Sequence, residues 1–186
     1  IALEPEHIST YCLTYEEDTE FLSRFERGEL VVDEESDAQL LEFTISRLES
    51  AGYEHYEISN YARPGFRSRH NRAYWRGADY LGLGPSAFST RGHQRWQNVA
   101  DHHEYARRME GNISLASNLE TLSPEAKLRE RIALGLRTGE GIRAELAEPR
   151  AAEHLIAAGL LVRSADRVIL TRHGKLLADS VAGELI

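Results

Sequence analysis

Apolar and polar residues alternate in the first sixty positions in a way that predicts a strand, two helices and a second strand. Leu41, Ile45 and Leu48 recur at helical spacing, with Ser36 and Gln39 placed for a capping box and Gly52 suited to end the helix. The predicted elements are a strand over 7–13, a short helix over 19–27, a helix over 36–51 and a strand over 53–58. The order strand, helix, strand predicts a parallel α/β unit.

The pattern changes twice further along the chain. Residues 60–78 show little periodicity and contain Pro64, Gly65 and Gly77, which predicts a long loop of the kind that is usually functional or disordered. A helix is expected to begin after Asp101 and to end near residue 111.

The last third has a helical pattern followed by short strands. Ser123–Pro124 predicts a helix start. The further predicted elements are a helix near 149–158, strands over 160–163 and 167–170, and a helix capped by Thr171. Helices followed by a small hairpin resemble a winged helix, so two domains are expected, 1–119 and 120–186.

Charge is distributed unevenly over the 186 residues. The net charge is −8, yet residues 61–119 hold nine Lys/Arg and four Asp/Glu, whereas residues 1–60 hold three and 16. An acidic total repels nucleic acid at long range, so no nucleic-acid partner is expected. The single Cys12 excludes an internal disulfide, and its residue type predicts a small buried side chain. A cytoplasmic protein without a membrane span is expected, and the start at Ile1 suggests a piece of a longer chain.

The segment 56–76 is the one basic and aromatic stretch of an acidic protein, and no carboxylate lies between Glu57 and Asp79. After Tyr56 it carries His70 together with five arginines and four aromatic residues, namely Arg63, Arg67, Arg69, Arg72, Arg76, Tyr61, Phe66, Tyr74 and Trp75. A neutral imidazole ligates iron, arginine pairs with the propionates of a tetrapyrrole, and a flat ring packs on aromatic side chains. His70 is therefore a candidate haem ligand, and the alternative is a loop histidine that hydrogen-bonds the backbone.

Other motifs admit two interpretations. Gly82 and Gly84 form a GxG that suits either a cofactor turn or a tight, closely packed turn. The winged-helix-like tail has ten acidic and ten basic residues, which favours a protein-contact or structural role over binding to DNA.

Three stretches resemble the HemW family of radical-SAM proteins, which are related to oxygen-independent coproporphyrinogen III oxidase. They read HISTYCLTYEEDTEF, AGYEHYEISNYARPGFRSRHNRAYW and DYLGLGPSAFS, and the resemblance covers about residues 5–140. It implies an α/β fold: the end of a partial (β/α) radical-SAM barrel followed by a small winged-helix-like α+β domain. One departure is Phe88, where many family members have histidine.

The resemblance also implies a function in haem or porphyrin metabolism. The HNxxYW element of the family is associated with haem binding, which would assign His70, Asn71, Tyr74 and Trp75 here, with delivery of haem to an acceptor protein. The alternative is the substrate domain of a coproporphyrinogen III oxidase, in which Arg63, Arg67 and Arg69 hold the propionates of a porphyrinogen. Family members bind a 4Fe-4S cluster and SAM through a cysteine loop that is absent here, so this chain alone is expected to be inactive as an enzyme.

Overall fold

The computed structural model describes the backbone of residues 1–186 and every side chain except that of residue 34. The chain divides into two units, residues 1–68 and residues 69–186. No helix among the described residues is both long and apolar enough to cross a lipid bilayer.

The first unit consists of a three-stranded sheet and two helices. Its elements are β1 (His7–Ser9), α1 (Glu20–Glu26), α2 (Glu34–Glu49), β2 (Glu54–Glu57) and β3 (Asn60–Ala62). The core lies between α2 and the sheet: Ile45 and Leu48 of α2 pack with Tyr53 and with Tyr61, which is fully buried. Leu41 packs against the same cluster, so the predicted apolar face of the helix is confirmed.

β1 and β2, the strands of the predicted parallel α/β unit, run in the same direction, but they are not neighbours in the sheet. The sheet order is β1-β3-β2, and β3 pairs antiparallel with both neighbours. The predicted loop at 60–78 hides β3, which follows β2 after two residues and so folds back along it in a tight turn. β3 therefore lies between β1 and β2, and these two strands do not pair directly with each other.

Three smaller expectations are also corrected. The N-cap of α2 is Asp33, whose carboxylate accepts a hydrogen bond from the Ser36 N–H at 3.1 Å, so the helix begins before the predicted cap. β1 covers only 7–9 of the predicted 7–13. Cys12 lies in the irregular segment that follows β1, and it is exposed rather than buried.

The second unit begins with α3 and contains two further sheets. Its elements are α3 (Arg69–Trp75), β4 (Phe88–Arg91), β5 (Gln94–Asn98), α4 (His102–Glu110), β6 (Ala116–Thr121), α5 (Pro124–Leu136), β7 (Ile142–Arg143), α6 (Pro149–Ala157), β8 (Leu161–Ser164), β9 (Arg167–Leu170) and α7 (Ala178–Glu184), with 3₁₀ turns at Ala144–Leu146 and Gly174–Leu177. The sheet orders are β4-β5-β6 and β7-β9-β8, and all pairs are antiparallel.

The helix starts predicted for this unit are confirmed by their caps. The Asp101 carboxylate accepts from the Glu104 N–H at 2.8 Å, and the Ser123 hydroxyl accepts from the Ala126 N–H at 3.1 Å. Thr171 accepts from the Gly174 N–H at 2.9 Å, but the turn it caps is 3₁₀, and α7 starts four residues later. The predicted β8–β9 hairpin is present, and its buried residues pack with α5, α6 and α7 around a common core: Ile132, Leu136, Leu155, Val168 and Val181.

Candidate functional site

Residues 69–75 of the predicted loop form a short helix, α3, which carries most of the candidate residues. The turn that follows α3 contains Gly77, whose φ of 71° is in the left-handed region that favours glycine. The Gly77 N–H donates to the Tyr74 carbonyl at 2.9 Å, and the Ala78 N–H donates to the Ala73 carbonyl at 3.0 Å. The prediction of an irregular loop through 69–75 is therefore wrong. A seven-residue helix with one apolar alanine has too little periodicity to be detected from sequence.

His70 and Tyr74 occupy one exposed face of α3. They are four residues apart, which places their Cβ atoms about 5–6 Å apart on a helix. His70 is exposed, and within the part of the chain that the structure describes no hydrogen bond or ion pair engages its side chain. Tyr74 is 43% exposed, whereas Asn71 and Trp75 are half-buried on an adjacent face. This face therefore presents a free imidazole beside an accessible aromatic ring.

The ring of Tyr74 is held in place by Tyr80. The two ring centroids are 5.1 Å apart, with an angle of 53° between the planes. The hydrogen bond with Tyr80 raises the pKa of Tyr74 above its ordinary value, and partial burial adds to that effect. Tyr80 is fixed in turn by a two-way backbone bridge to Thr90, with N–H to carbonyl distances of 2.9 and 3.0 Å.

The arginines of α3 and its C-terminal turn divide into paired and unpaired residues. Arg72 and Arg76 both bind the Glu140 carboxylate, the first at 3.1 Å and the second at 2.6 and 2.9 Å. Partial burial raises the pKa of Glu140, but the hydrogen bonds from Arg76 and Arg72 outweigh it and hold the pKa below its ordinary value. Arg69 is exposed, and no described residue forms an ion pair with it. Arg69 is thus the arginine of this group that no described carboxylate contacts, and its guanidinium is open to an external anion.

Arg63 and Arg67 belong to the first unit and already contact that unit's side chains. The Arg63 guanidinium lies 4.9 Å from the centroid of the Tyr53 ring. The Arg67 Nε donates to Glu54 Oε2 at 2.9 Å, and its guanidinium lies 5.7 Å from the Tyr56 ring. Either arginine would have to share or leave these contacts in order to bind a propionate.

Gly82 and Gly84 are explained by packing and turn geometry. A Cβ on Gly82 would lie 2.2 Å from the Phe88 carbonyl oxygen, and Gly84 has a φ of 101°. The Gly82 N–H donates to Ser89 Oγ at 3.0 Å, and the Gly84 N–H donates to the Tyr105 hydroxyl at 3.2 Å. Both amides are therefore directed to the protein's own side chains rather than left open to a phosphate. Phe88 itself starts β4 and is 49% exposed.

A groove of about 590 Å³ lies beside Tyr74 in the second unit. Its walls come from the end of α3, from β4–β5 and from α5. Arg95 of β5 binds Glu130 of α5 at two points, 2.6 and 2.7 Å, across this groove. Lys127 and Arg131 of α5 also line the groove. These α5 residues are not among the candidates predicted from sequence. Their spacing of four residues indicates that they share one face of a helix, but only tertiary packing brings that face to α3.

No group of three or more His, Cys, Asp or Glu side chains among the described residues is arranged to hold a metal ion.

Comparison with known proteins identifies the family. The chain is 38% identical over 185 residues to "Heme chaperone HemW" of Mycobacterium tuberculosis, which covers 97% of this chain and 47% of the relative. It is 31% identical over 198 residues to the protein of the same name from Bacillus subtilis, covering all of this chain and 52% of the relative. The chain is HemW-like along nearly its whole length. It spans about half the length of these HemW relatives.

Two further matches confirm the fold that was expected for a HemW protein. Residues 122–177 match the family model described as the HemN C-terminal domain. A solved structure titled "Coproporphyrinogen III oxidase (HemN) from Escherichia coli is a Radical SAM enzyme" superimposes with a TM-score of 0.73. That match covers 99% of this chain and 48% of the solved chain, at 17% identity. The match confirms the α/β fold class, whereas the domain boundary at 119/120 stays a prediction.

Proposed function

We propose that this chain binds haem through the exposed face of α3 and that the HemW protein to which it corresponds delivers haem to an acceptor protein. The observation that carries the proposal is the unengaged imidazole of His70, one helical turn from the accessible ring of Tyr74. The relatives named as haem chaperones support it, since they match along nearly the whole of this chain.

Each residue of this face has a defined part in the proposal. A neutral His70 supplies one ring nitrogen to ferric iron. Tyr74, positioned by Tyr80, offers a surface for the flat macrocycle, and the free guanidinium of Arg69 balances a carboxylate. Asn71 and Trp75 lie half-buried behind this face and support it. Because His70 is exposed, haem bound to it leaves its opposite side open, which suits transfer rather than storage.

Arg63 and Arg67 lie in the first unit, and their role as anion partners stays a separate prediction from the sequence. Arg67 would have to exchange Glu54 for a propionate. Gly82 and Gly84 are not required to touch a ligand, because their amides are already occupied.

The 4Fe-4S cluster and SAM that the family implies do not fit the residues present. Such a cluster needs several cysteine thiolates, whereas the chain has one cysteine, Cys12, which is exposed and outside any group able to hold a metal. No step of the proposed function therefore runs through these groups here.

A second candidate is a substrate-binding part of a coproporphyrinogen III oxidase. The shared fold with the HemN structure favours it, and the α3 face would then hold the carboxylates of a porphyrinogen. The full-length protein, loaded with cluster and supplied with SAM, a reductant and coproporphyrinogen, should form protoporphyrinogen if this candidate holds. Absence of product would reject it.

The direct test of haem binding is a hemin titration of the 186-residue chain followed by its Soret absorbance. His70→Ala should weaken saturable binding at least tenfold, the loss expected when an iron ligand is removed. His173→Ala is the matched control, because His173 is also exposed but lies in the turn before the 3₁₀ segment that precedes α7. Equal titration curves for the wild type and His70→Ala would reject the assignment of His70.

A further inference from the structure

The groove beside Tyr74 has a charge pattern that the haem-binding proposal does not use. Four arginine and lysine side chains line it: Arg76, Arg95, Lys127 and Arg131. Arg76 shares the single carboxylate of Glu140 with Arg72, and Arg95 is neutralised by Glu130 through two hydrogen bonds. The other two of the four side chains, Lys127 and Arg131, both belong to α5.

Lys127 and Arg131 are the uncompensated cations. The Lys127 ammonium donates to the Gly92 carbonyl, which carries no formal charge. Arg131 is exposed, and no described carboxylate pairs with either side chain. Their spacing of four residues places them side by side on α5, and Leu128 and Leu134 add apolar wall between α5 and α3. An apolar groove with two free cations fits an amphipathic ligand that bears carboxylates.

The groove and the His70 face share one residue. Tyr74 lines the groove and lies one turn from His70 on α3. A flat ligand whose centre is bound at His70 and whose face rests on Tyr74 therefore extends toward the groove. All of these residues belong to the second unit.

We propose that this groove receives the carboxylate-bearing edge of the tetrapyrrole and that Lys127 and Arg131 bind its propionates. This inference rests on the proposed function, since it needs the ring to lie on Tyr74. It adds Lys127 and Arg131 to Arg69 as propionate partners within the second unit.

The test compares hemin with the iron complex of protoporphyrin dimethyl ester, in which both carboxylates are esterified. The wild-type chain should bind hemin about three- to tenfold more tightly than the ester, the range expected for ion pairs at a partly exposed site. Lys127→Gln and Arg131→Gln should each reduce this preference while binding the ester as the wild type does. Arg129→Gln is the matched control, because Arg129 is exposed on α5 but does not line the groove.

The outcomes separate the two proposals. Failure of the wild type to bind either compound saturably would reject the proposed function itself. Binding of both compounds with equal affinity, or a preference for hemin that survives in both Lys127→Gln and Arg131→Gln, would overturn the inference and leave haem binding at His70 intact. Circular dichroism spectra that match the wild type would show that each variant is folded.

Discussion

Arg76 donates hydrogen bonds to both carboxylate oxygens of Glu140, at 2.6 and 2.9 Å, and thereby fixes the C-terminal end of α3. Glu140 lies between α5 and β7, where its backbone carbonyl accepts from the Arg167 guanidinium at 2.6 Å. The helix that carries His70 is thus connected to the β9 strand of the C-terminal hairpin through one residue, Glu140, by its carboxylate on one side and its backbone carbonyl on the other. Its position depends on ion pairs more than on buried apolar area, because α3 has no buried residue.

Removing this carboxylate should loosen α3. Glu140→Gln is expected to weaken the attachment by about 1 kcal/mol, the upper range for a partly exposed ion pair. Hydrogen exchange of the α3 amides should then become about fivefold faster. Glu145→Gln is the control, since Glu145 is exposed and pairs with Arg143 at 3.3 Å. Unchanged exchange in Glu140→Gln would show that the ion pairs do not hold α3.

The carboxyl of Glu104 should titrate well below the ordinary range. Hydrogen bonds from Arg107 and then Arg108 lower its pKa from 4.5 to about 2. A lowered carboxyl pKa contributes stability that is present above pH 4.5 and is lost as the pH falls toward about 2. Carbon NMR of the Glu104 carboxyl should follow that low midpoint, and a combined Arg107→Gln and Arg108→Gln variant should return it toward 4.5. An unchanged midpoint in that variant would contradict the assigned cause.

Gly82 should be required for folding rather than for ligand contact. Gly82→Ala places a methyl group against the Phe88 carbonyl, so we expect a loss of about 1–3 kcal/mol in the free energy of unfolding, as for other overpacked sites. Gly183→Ala makes the same change in α7, where nothing lies within 4 Å, and should stabilise the helix by about 0.5 kcal/mol. Chemical denaturation measures both. A neutral Gly82→Ala would contradict the packing account.

Cys12 should react as an accessible thiol in the native state. It is exposed, in contrast to the buried position expected from its residue type. A thiol reagent such as Ellman's reagent should modify Cys12 completely in the absence of denaturant. The reaction rate in the native chain should lie within a few-fold of the rate in denaturant. Protection of the thiol in the native chain would show that this segment is covered.

The sequence predicted those features that depend on local chemistry. The caps at Asp101 and Ser123 and the apolar face of α2 follow from short-range patterns, and all are present. The order of the strands was not predictable in this way, because β3 pairs with β1 across fifty residues of chain. Pairing of that range depends on the tertiary structure rather than on local propensity.

The candidate site likewise combines features that the local sequence predicts with contacts that depend on the tertiary structure. The composition of residues 56–76 indicated an anionic, flat ligand, but it did not show that Arg67 pairs with Glu54 or that Arg72 and Arg76 share Glu140. Glu140 lies more than sixty residues away from both α3 partners in sequence. For the same reason Lys127 and Arg131 were missed, since only the folded chain places α5 beside α3.

The most direct test of the central claim is chemical rescue of a His70→Gly variant. The optical spectrum of hemin bound to the wild-type chain should be that of histidine-ligated ferric haem. His70→Gly should lose this spectrum, and added imidazole should restore it by occupying the vacated space beside Tyr74. A His70→Gly variant whose bound hemin has the wild-type spectrum without imidazole would contradict haem binding at His70.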